Sequence, residues 1–485
     1  MNAEQKQLSK DNIVQANPTK DFFVYMLTRD IELEDAILEL LDNCVDSIVR
    51  QIGKIDGEKP YAGYQAEITF NNKQFCIEDN CGGIPLDVAK NYAFMMGGTL
   101  SENANTNRGL LGAYGIGMKR AIFKIGQTAT VVSKHGDTGF QVNINDKWLK
   151  KRNWDLRLTV SNEVMSHSGT KITVSNLSSK AKTACYMGEQ GGFPRLCDKI
   201  SRHFAYIIAK GFRIIVNKRE IKPKPILFQW VNQATGRKKT GIAPYIFQAN
   251  YEDVEIEVIV GLYRELPNTA ELDQELKYGT MSFENAGCTV ICNDRVVLYA
   301  DKTAVTGWGF ATAPSYQPLF VAIAGVVHFR SRNPLSLPMT TTHGVDVNSA
   351  VYQRAIVHLQ EGLDVFTRFT YQWQNYAIRT EMAKAIKTVD IAEIKNLAND
   401  NALLGKWINM RNHKGMSDVH IFWPKLIEPN PNIDPTVITF AKPDSEIEEI
   451  TEYLFEQPDY LLTPSDIGDI CFREILSKAR KNYEW

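Results

Sequence analysis

The stretch 39-ELLDNCVDSI-48 decides the fold, because three polar side chains recur inside an otherwise apolar run. Glu39, Asn43 and Asp46 stand four and three residues apart, which places them along one face of a helix. The apolar residues around them follow the same period and form the neighbouring stripe. The pattern predicts a helix over 31–50 that packs on one side and carries two carboxylates and an amide on the other. A solvated helix face is the alternative.

The composition is that of an ordinary soluble protein. The 485 residues are 44% hydrophobic and 23% charged, enough for two or three domains with substantial cores. The sequence has no apolar signal region and no apolar run of bilayer length, so a cytoplasmic protein without membrane contact is expected. The formal net charge of −1 excludes a globally basic nucleic-acid binder but permits a local basic patch.

The cysteines point to packing rather than to chemistry. Eight of them are scattered along the chain, without a C-x-x-C pair or the density of a secreted disulfide scaffold. Mostly buried thiols are expected. Cys288 and Cys292 fall on one face of a strand-like run, which favours core packing over a metal site.

Two further segments are weak cues when taken alone. A strand-like run in 76-CIEDNCGGIP-85 ends at Asp79, and the chain then turns through two glycines, of which the second is Gly83. An ordinary tight turn needs the same residues. In 167-HSGTKITVSNL-177, Thr170 stands at the entry to another strand, which by itself carries almost no information.

The stretch 109-GLLGAYGIGMKRAIFKIG-126 joins a glycine-rich loop to the start of an apolar-periodic helix. Without Cβ atoms, such a loop can direct backbone N–H groups at phosphates, and a helix N-terminus favours the anion. Lys119 adds a positive charge nearby. A loop that is rich in glycine only for turning is the alternative.

In this order, the four segments resemble the Bergerat-fold ATPases of the GHKL superfamily, which includes DNA gyrase, the ninety-kilodalton heat-shock chaperone, histidine kinases, MutL and MORC proteins. The first segment matches the motif E-x-x-x-N-x-x-D, and EDNCGGI, GAYGIGMK and SGT are similar to the second, third and fourth motifs. Weak motifs in one order strengthen each other. The resemblance covers about residues 20–180. It implies an α+β fold, with a Bergerat-fold ATPase sandwich over 23–180 and an N-terminal arm over 1–22.

The resemblance implies ATP and Mg²⁺ as cofactors and assigns roles along the first helix. Glu39 would be the catalytic base that orients or deprotonates the water attacking the γ-phosphate. Asn43 would give Mg²⁺ a neutral oxygen ligand. Asp46 would help to fix the nucleotide end of the helix.

The other motifs supply the nucleotide contacts that the resemblance implies. Asp79 would accept a hydrogen bond from the adenine amino group, and Thr170 would support this contact through water. Gly83 would let the backbone approach the base. The phosphate lid would hold Gly112, Gly115, Gly117 and Lys119. The second motif departs from the usual D-x-G-x-G, because Cys81 stands at its third position, and this points to an altered turn.

A second block over 181–345 is predicted to be a smaller α/β domain. It resembles the transducer domain, of the ribosomal S5-like type, that follows the ATPase module in MutL, the topoisomerases and MORC proteins. The run 288-CTVICNDRVV-297 is similar to its strand carrying N-x-R. In the loop 333–346, His343 stands where the family usually has a lysine that reaches the γ-phosphate. A histidine there would be a weaker, pH-dependent catalytic cation. An ordinary loop residue is the alternative.

The resemblance also implies a homodimer that forms when ATP binding closes the lid. One hypothesis is an ATP-gated dimeric clamp on DNA, of the MORC or MutL kind, within a bacterial defence or repair system. The basic segment 218–239, interleaved with aromatic residues, could follow duplex DNA phosphates. A solvated loop is the alternative for this segment.

The second hypothesis is a chaperone-like ATPase that remodels protein clients or partners. The region 346–485 is expected to be mainly helical with an acidic tail, and it could be the platform for such a protein partner. A histidine kinase is disfavoured, because no sensor or membrane segment is apparent and the transducer-like block follows the ATPase segment directly.

Overall fold

The protein divides into two compact units, residues 1–429 and 430–485. The computed structural model describes residues 19–53, 57–95, 116–151, 153–188, 194–233, 240–278, 284–340, 344–374, 386–400, 404–428 and 442–454, with isolated positions between 464 and 478. Within them, helices and largely antiparallel sheets are mixed along the chain, so the predicted α+β class is confirmed.

Eight strands of the described chain form the first sheet, in the order β5-β4-β3-β6-β2-β1-β7-β8. Neighbouring strands are antiparallel except β1 and β7, which are parallel. One face of the sheet enters the core, as alternation in β1 shows: Ala66, Ile68 and Phe70 are buried. The strands are β1 (Gln65–Phe70), β2 (Gln74–Asp79), β3 (Gly126–His135), β4 (Thr138–Ile144), β5 (Leu158–Val160), β6 (Gly169–Leu177), β7 (Arg213–Val216) and β8 (Arg219–Glu220).

Helices cover the core face of this sheet. They are α1 (Lys20–Arg29), α2 (Leu33–Ile52), α3 (Leu86–Val88, continued by one π-turn to Ala93), α4 (Gly117–Ile125), α5 (Asp146–Leu149), α6 (Ser179–Gly188), α7 (Pro194–His203) and α8 (Ala205–Ala209). Ile48 of α2, Ile122 of α4 and Ile68 of β1 share one hydrophobic core. Helix α2 ends at Gly53, whose positive φ of 67° suits glycine and whose N–H donates to Val49.

The first sheet extends beyond the segment predicted for the ATPase domain, which ends at residue 180. Strands β7 and β8, which the sequence analysis placed in the second block, complete this sheet, and Ile200 and Ile214 join its core. Local periodicity identifies a strand but not its partner, and β7 pairs with β1 far earlier in the chain. The three boundaries between the four predicted domains stay predictions.

The described residues in the second half of the first unit form two more sheets. A seven-stranded sheet has the order β14-β13-β15-β12-β11-β18-β17, and a small sheet has the order β10-β9-β16. The bounds are β9 (Phe228–Gln233), β10 (Thr240–Ile242), β11 (Tyr245–Tyr251), β12 (Val254–Leu262), α9 (Thr269–Tyr278), β13 (Gly287–Cys292), β14 (Arg295–Asp301), β15 (Ile323–Arg330), α10 (Ala350–Trp373), β16 (Ile386–Val389), α11 (Ile391–Asp400), β17 (Gly405–His413) and β18 (Met416–Pro424). Single 3₁₀ turns lie at Ala304–Thr306, Pro318–Phe320 and Pro334–Ser336.

The seven-stranded sheet is buried on both faces. On one face, Val260 of β12 packs in the same core as Leu359 of α10. On the other, Ile259 packs with Phe228 of the small sheet and Ile394 of α11. Strands β12 and β13 are therefore largely apolar, as expected for strands covered on both sides, whereas the edge strand β17 is largely exposed.

The region 346–485 is more mixed than the mainly helical region expected from the sequence. Its described part contains the long helix α10 but also β16, β17 and β18, which complete the two sheets begun upstream. Lys414 and Gly415 both have positive φ and form the two-residue turn of the β17–β18 hairpin. The strong helical period of α10 dominated the sequence pattern, and local periodicity does not show that a later strand completes a sheet begun upstream.

The second unit is described only in part, and its helix α12 spans Asp444–Leu454. None of the described helices combines the length and apolarity that crossing a bilayer requires.

All eight cysteines are free thiols and six of them are buried, including Cys288 and Cys292 in the core, so the expectation for the cysteines is confirmed.

Candidate functional site

The polar stripe of α2 is buried rather than solvated. Glu39 and Asp46 are only 4% and 5% exposed, and Asn43 is half-buried, which removes the alternative of a solvated helix face. Burying carboxylates costs free energy unless they are paired or hydrogen-bonded. Two buried carboxylates and a half-buried amide on one helix face therefore make this face a candidate functional site.

Glu39 faces the first turn of α4. Its Oε1 atom lies 3.1 Å from Nη2 of Arg120, and both side chains are almost fully buried. Burial raises the pKa of Glu39 to about 7, and the Arg120 guanidinium opposes this shift. Among the described residues, Oε2 of Glu39 has no hydrogen-bond partner. The carboxylate therefore keeps one oxygen available, with a pKa suited to accepting a proton near neutrality.

Asn43 lies one helical turn beyond Glu39. Its Nδ2 atom is also buried without a hydrogen-bond partner in the described chain. Because the oxygen and nitrogen of an amide are assigned and not observed, the group can present either atom to a ligand. The described residues hold no cluster of three or more His, Cys, Asp or Glu side chains arranged for a metal ion. A single amide oxygen still fits Mg²⁺, which usually keeps waters and phosphate oxygens as its other ligands.

Asp79, at the end of β2, forms a buried acceptor held by three donors. Its Oδ1 atom accepts from the backbone N–H groups of Cys81 at 2.8 Å and Thr170 at 3.3 Å. Its Oδ2 atom lies 3.5 Å from the Cys44 thiol of α2. Burial raises the pKa of Asp79 to about 6, and these hydrogen bonds oppose the shift. The Thr170 hydroxyl is 3.0 Å from that of Ser133.

Asp46 lies on α2, and its carboxylate interacts with Arg50, as does the carboxylate of Asp79. Burial lowers the pKa of Arg50, and the carboxylates of Asp46 and Asp79 both oppose that shift. The structure thus brings Glu39, Asn43, Asp46, Asp79 and Thr170 into one region around α2. Their functional roles stay predictions.

Gly83 is the point where the turn after β2 meets strand β3. It has a φ of +72°, and a Cβ atom there would lie 2.0 Å from the carbonyl oxygen of Lys134. The altered D-x-C-G-G turn therefore keeps its last glycine for a steric reason. Cys81 is fully buried, and its carbonyl accepts from the Gln51 side chain at 2.8 Å, which secures the turn to α2.

We expect Gly83→Ala to destabilise the protein by about 3 kcal/mol, since it adds overpacking of about 1–3 kcal/mol to a left-handed strain of about 1–2 kcal/mol. Gly136→Ala is the matched control, because Gly136 also has a positive φ but no atom within 4 Å of its Cβ position. Thermal unfolding of both variants measures the difference. Equal melting temperatures would contradict the steric account.

The predicted lid residues are only partly described. Gly112 and Gly115 lie outside the described residues, and so does His343. Gly117 begins α4 against Glu39: a Cβ atom at Gly117 would lie 2.7 Å from Oε2 of Glu39. This close approach explains why the helix starts with glycine.

Lys119 is buried, not exposed at a loop. Its Nζ donates to the carbonyl of Met95 at 2.5 Å, and burial lowers its pKa to about 8. In this conformation the ammonium group contacts the backbone just before residues 96–115, which contain most of the predicted lid. Its contact with phosphate stays a prediction.

Sequence reasoning missed several contacts of the site. Arg120 forms an ion pair with Glu39. It directly follows the predicted lid residue Lys119, and this position after the glycine-rich loop was the signal that could have identified it. Ser133 accepts from the N–H of Ile84 at 2.8 Å and supports the turn that carries Gly83. No local pattern marked Ser133 or the thiol of Cys44 as part of the site.

The basic segment predicted to contact DNA is described over 218–233. Lys218, Arg219, Lys222 and Lys224 are exposed. Nζ of Lys222 lies 3.3 Å from Oε1 of Glu220, and Nζ of Lys224 lies 2.8 Å from Oδ1 of Asp198. Such exposed ion pairs are weak, so they leave the cations accessible to a stronger anion.

The comparison with protein families agrees with this geometry. Residues 31–178 match the family described as histidine kinase-, DNA gyrase B-, and HSP90-like ATPase. This part of the chain is therefore an ATPase domain of the GHKL superfamily, an ATP-binding type of domain. No curated protein shows significant similarity to the chain.

Proposed function

We propose that the protein is a Mg²⁺-dependent ATPase that works as an ATP-gated dimeric clamp on duplex DNA. The observation that carries the ATPase part is the pair of unpartnered buried atoms, Oε2 of Glu39 and Nδ2 of Asn43, one helical turn apart among the described residues. Buried polar atoms usually have partners, so two such atoms on one helix face mark the place of a ligand.

The residues of the site divide the work along α2. Asp79 accepts a hydrogen bond from the adenine amino group, and Asp46 helps to fix the nucleotide end of the helix. At the other end, Asn43 holds Mg²⁺, which neutralises charge on the phosphates when it is bound. Glu39 orients the attacking water and takes its proton, since its pKa of about 7 suits a general base.

Arg120 would keep this base in place. Its guanidinium holds Oε1 of Glu39, so the other oxygen, Oε2, is left to face the water. His343, in the loop predicted to reach the γ-phosphate, and the lid residues Gly112 and Gly115 complete the proposal from the sequence.

The dimer is supported by the exposed face of α1. Phe22, Tyr25 and Met26 are 58%, 58% and 50% exposed and recur at helical spacing. Apolar side chains grouped in this way are typical of protein contacts. We propose that they meet a second copy of the chain when ATP is bound.

We favour duplex DNA as the partner because the side chains of the cationic residues in 218–224 are exposed. We expect DNA to raise the ATPase rate and this stimulation to fade with salt, since counterion release gives a slope of about 0.9 per phosphate contact. Phosphate release with and without duplex DNA, at several salt concentrations, is the measurement. Lys218→Ala/Arg219→Ala should lower the magnitude of the salt slope of binding by about 2, at about 1 per cation.

Lys406→Ala is the control for charge alone, because Lys406 is an exposed lysine on β17, the edge strand of the seven-stranded sheet, and not on the sheet that carries the basic segment. It should keep the stimulation of the wild type. An ATPase rate that does not change with duplex DNA, even at low salt, would contradict the DNA clamp. That result would favour the second candidate, a chaperone-like ATPase acting on protein partners through the region 346–485.

A further inference from the structure

The catalytic helix α2 is tied to the second half of the unit by one buried ion pair. Nε of Arg295 donates to Oδ1 of Asp42 at 2.7 Å, and Nη2 donates to Oδ2 at 3.3 Å. The two side chains are 4% and 2% exposed. The pair is therefore bidentate and shielded from water, which is the geometry that fixes orientation most strictly.

Arg295 is itself held in place on its other sides. Its Nη1 donates to the carbonyls of Val296 at 2.6 Å and His203 at 3.4 Å. The guanidinium lies over the ring of Phe204, 4.4 Å from its centroid. With contacts on each side, the guanidinium has a single position, and it imposes that position on Asp42.

The neighbouring residue fastens the same turn to the ATPase domain. Asp294 accepts from the hydroxyl of Tyr61 at 2.9 Å and from the Lys210 ammonium at 2.6 Å. The turn between β13 and β14 thus contacts the first sheet's domain through two consecutive charged residues. It is a rigid connection between the seven-stranded sheet and the segment that leads into β1.

Asp42 occupies a sensitive place on α2. It follows Glu39 by three residues and directly precedes Asn43, so it points about 60° and about 100° away from them around the helix axis. Fixing Asp42 therefore sets the rotation of the turn that presents the unpartnered atoms of Glu39 and Asn43.

We propose that Arg295 is a positioning residue for ATP hydrolysis, which sets the catalytic turn of α2 through Asp42 and so makes hydrolysis depend on the placement of the seven-stranded sheet. This inference rests on the proposed ATPase function. Arg295 contacts Asp42, and neither Glu39 nor Asn43 is among its hydrogen-bond partners in the described chain. It acts on the geometry of Glu39, and a misplacement of about 1 Å can cost about a hundredfold in rate.

The test separates hydrolysis from binding in the full chain. Arg295→Met should lower kcat by about ten- to a hundredfold while the dissociation constant for ATP stays within about threefold, because only the reacting geometry is lost. Arg295→Lys keeps the charge but not the bidentate fork, so it should fail nearly as badly. Asp42→Asn should match Arg295→Met, and the double variant should be no worse than either single variant.

Arg330→Met is the control, because Arg330 also forms ion pairs on the seven-stranded sheet, with Glu255 and Glu257, but does not contact α2. It should keep wild-type kcat. Hydrogen exchange of peptides covering 39–48 gives a second readout that needs no turnover. Exchange there should rise in Arg295→Met and stay unchanged in Arg330→Met.

The results distinguish the positioning role of Arg295 from the proposed ATPase activity. Wild-type kcat in Arg295→Met, equal losses of kcat and ATP affinity, or additive effects in the double variant would each overturn the inference. A wild-type protein that binds ATP without hydrolysing it would refute the proposed hydrolysis instead. In that case hydrogen exchange alone tests whether Arg295 positions α2. Unchanged hydrogen exchange of residues 39–48 in Arg295→Met would overturn the positioning role.

Discussion

Replacing Glu39 with glutamine is expected to lower ATP hydrolysis by about two to four orders of magnitude and to leave ATP binding nearly intact, since a general base acts mainly in the transition state. Glutamine keeps the shape of the side chain beside Arg120, so the buried guanidinium is not left without a neighbour. Single-turnover phosphate release and equilibrium binding of ATP measure the two effects separately.

Glu34→Gln is the matched control for this change. Glu34 lies on the same helix, and its carboxylate forms a surface ion pair with Arg195 at 3.2 Å, so the same chemical change should leave turnover near that of the wild type. Undiminished hydrolysis in Glu39→Gln would remove Glu39 from the mechanism.

The same variant carries a pH signature and a test of the dimer. Because the pKa of Glu39 is raised to about 7, the base is protonated below that pH, and the wild-type rate should rise as pH increases through about 7. Glu39→Gln should lack this rise. It should also accumulate as an ATP-bound dimer, visible by light scattering, because bound ATP is not consumed. A variant that stays monomeric with ATP would refute the clamp and leave the chemistry intact.

Asp79→Asn is expected to reduce ATP affinity by about a hundredfold or more, because a buried site that loses its matched acceptor leaves polar groups unpaired. The amide can still accept from Cys81 and Thr170 through one atom. Its second atom becomes a donor that faces the Cys44 thiol and, in the proposed complex, would also face the adenine amino group. Equilibrium binding of a fluorescent ATP analogue measures the loss.

The control for Asp79 is its neighbour on the same strand. Glu78 points to the other face of β2 and pairs with Lys171 at 2.8 Å, so Glu78→Gln should bind ATP like the wild type. Because burial raises the pKa of Asp79 to about 6, wild-type affinity should fall as pH drops through about 6, where the acceptor gains a proton. Wild-type affinity in Asp79→Asn would exclude Asp79 from the site.

Much of the first domain could be predicted from local patterns. The spacing of Glu39, Asn43 and Asp46 identified α2, and the run ending at Asp79 identified β2. These features follow from helical and strand periods, which are properties of adjacent residues. The burial of α2 on its polar side was not visible in that period, since a polar stripe reads the same whether it faces water or a ligand.

The contacts of α2 and the sheet pairing that were missed depend on distant partners. The parallel pairing of β1 with β7 and the ion pair of Asp42 with Arg295 join residues far apart in sequence, and neither leaves a periodic trace. The role of Arg295 shows the limit well. Its N-x-R run pointed to a strand of the second block, but only the folded chain brings that guanidinium to the helix that carries Glu39.

We expect α2 and the turn after β2 to hold one ATP together and to direct its hydrolysis. Calorimetric titration of the full chain with ATP and Mg²⁺, followed by phosphate release from the same sample, tests it most directly. One ATP should bind per chain, that binding should be lost in Asp79→Asn, and phosphate release should stop when the metal is chelated. A chain that binds no ATP, or whose ATP binding is unchanged in Asp79→Asn, would contradict it.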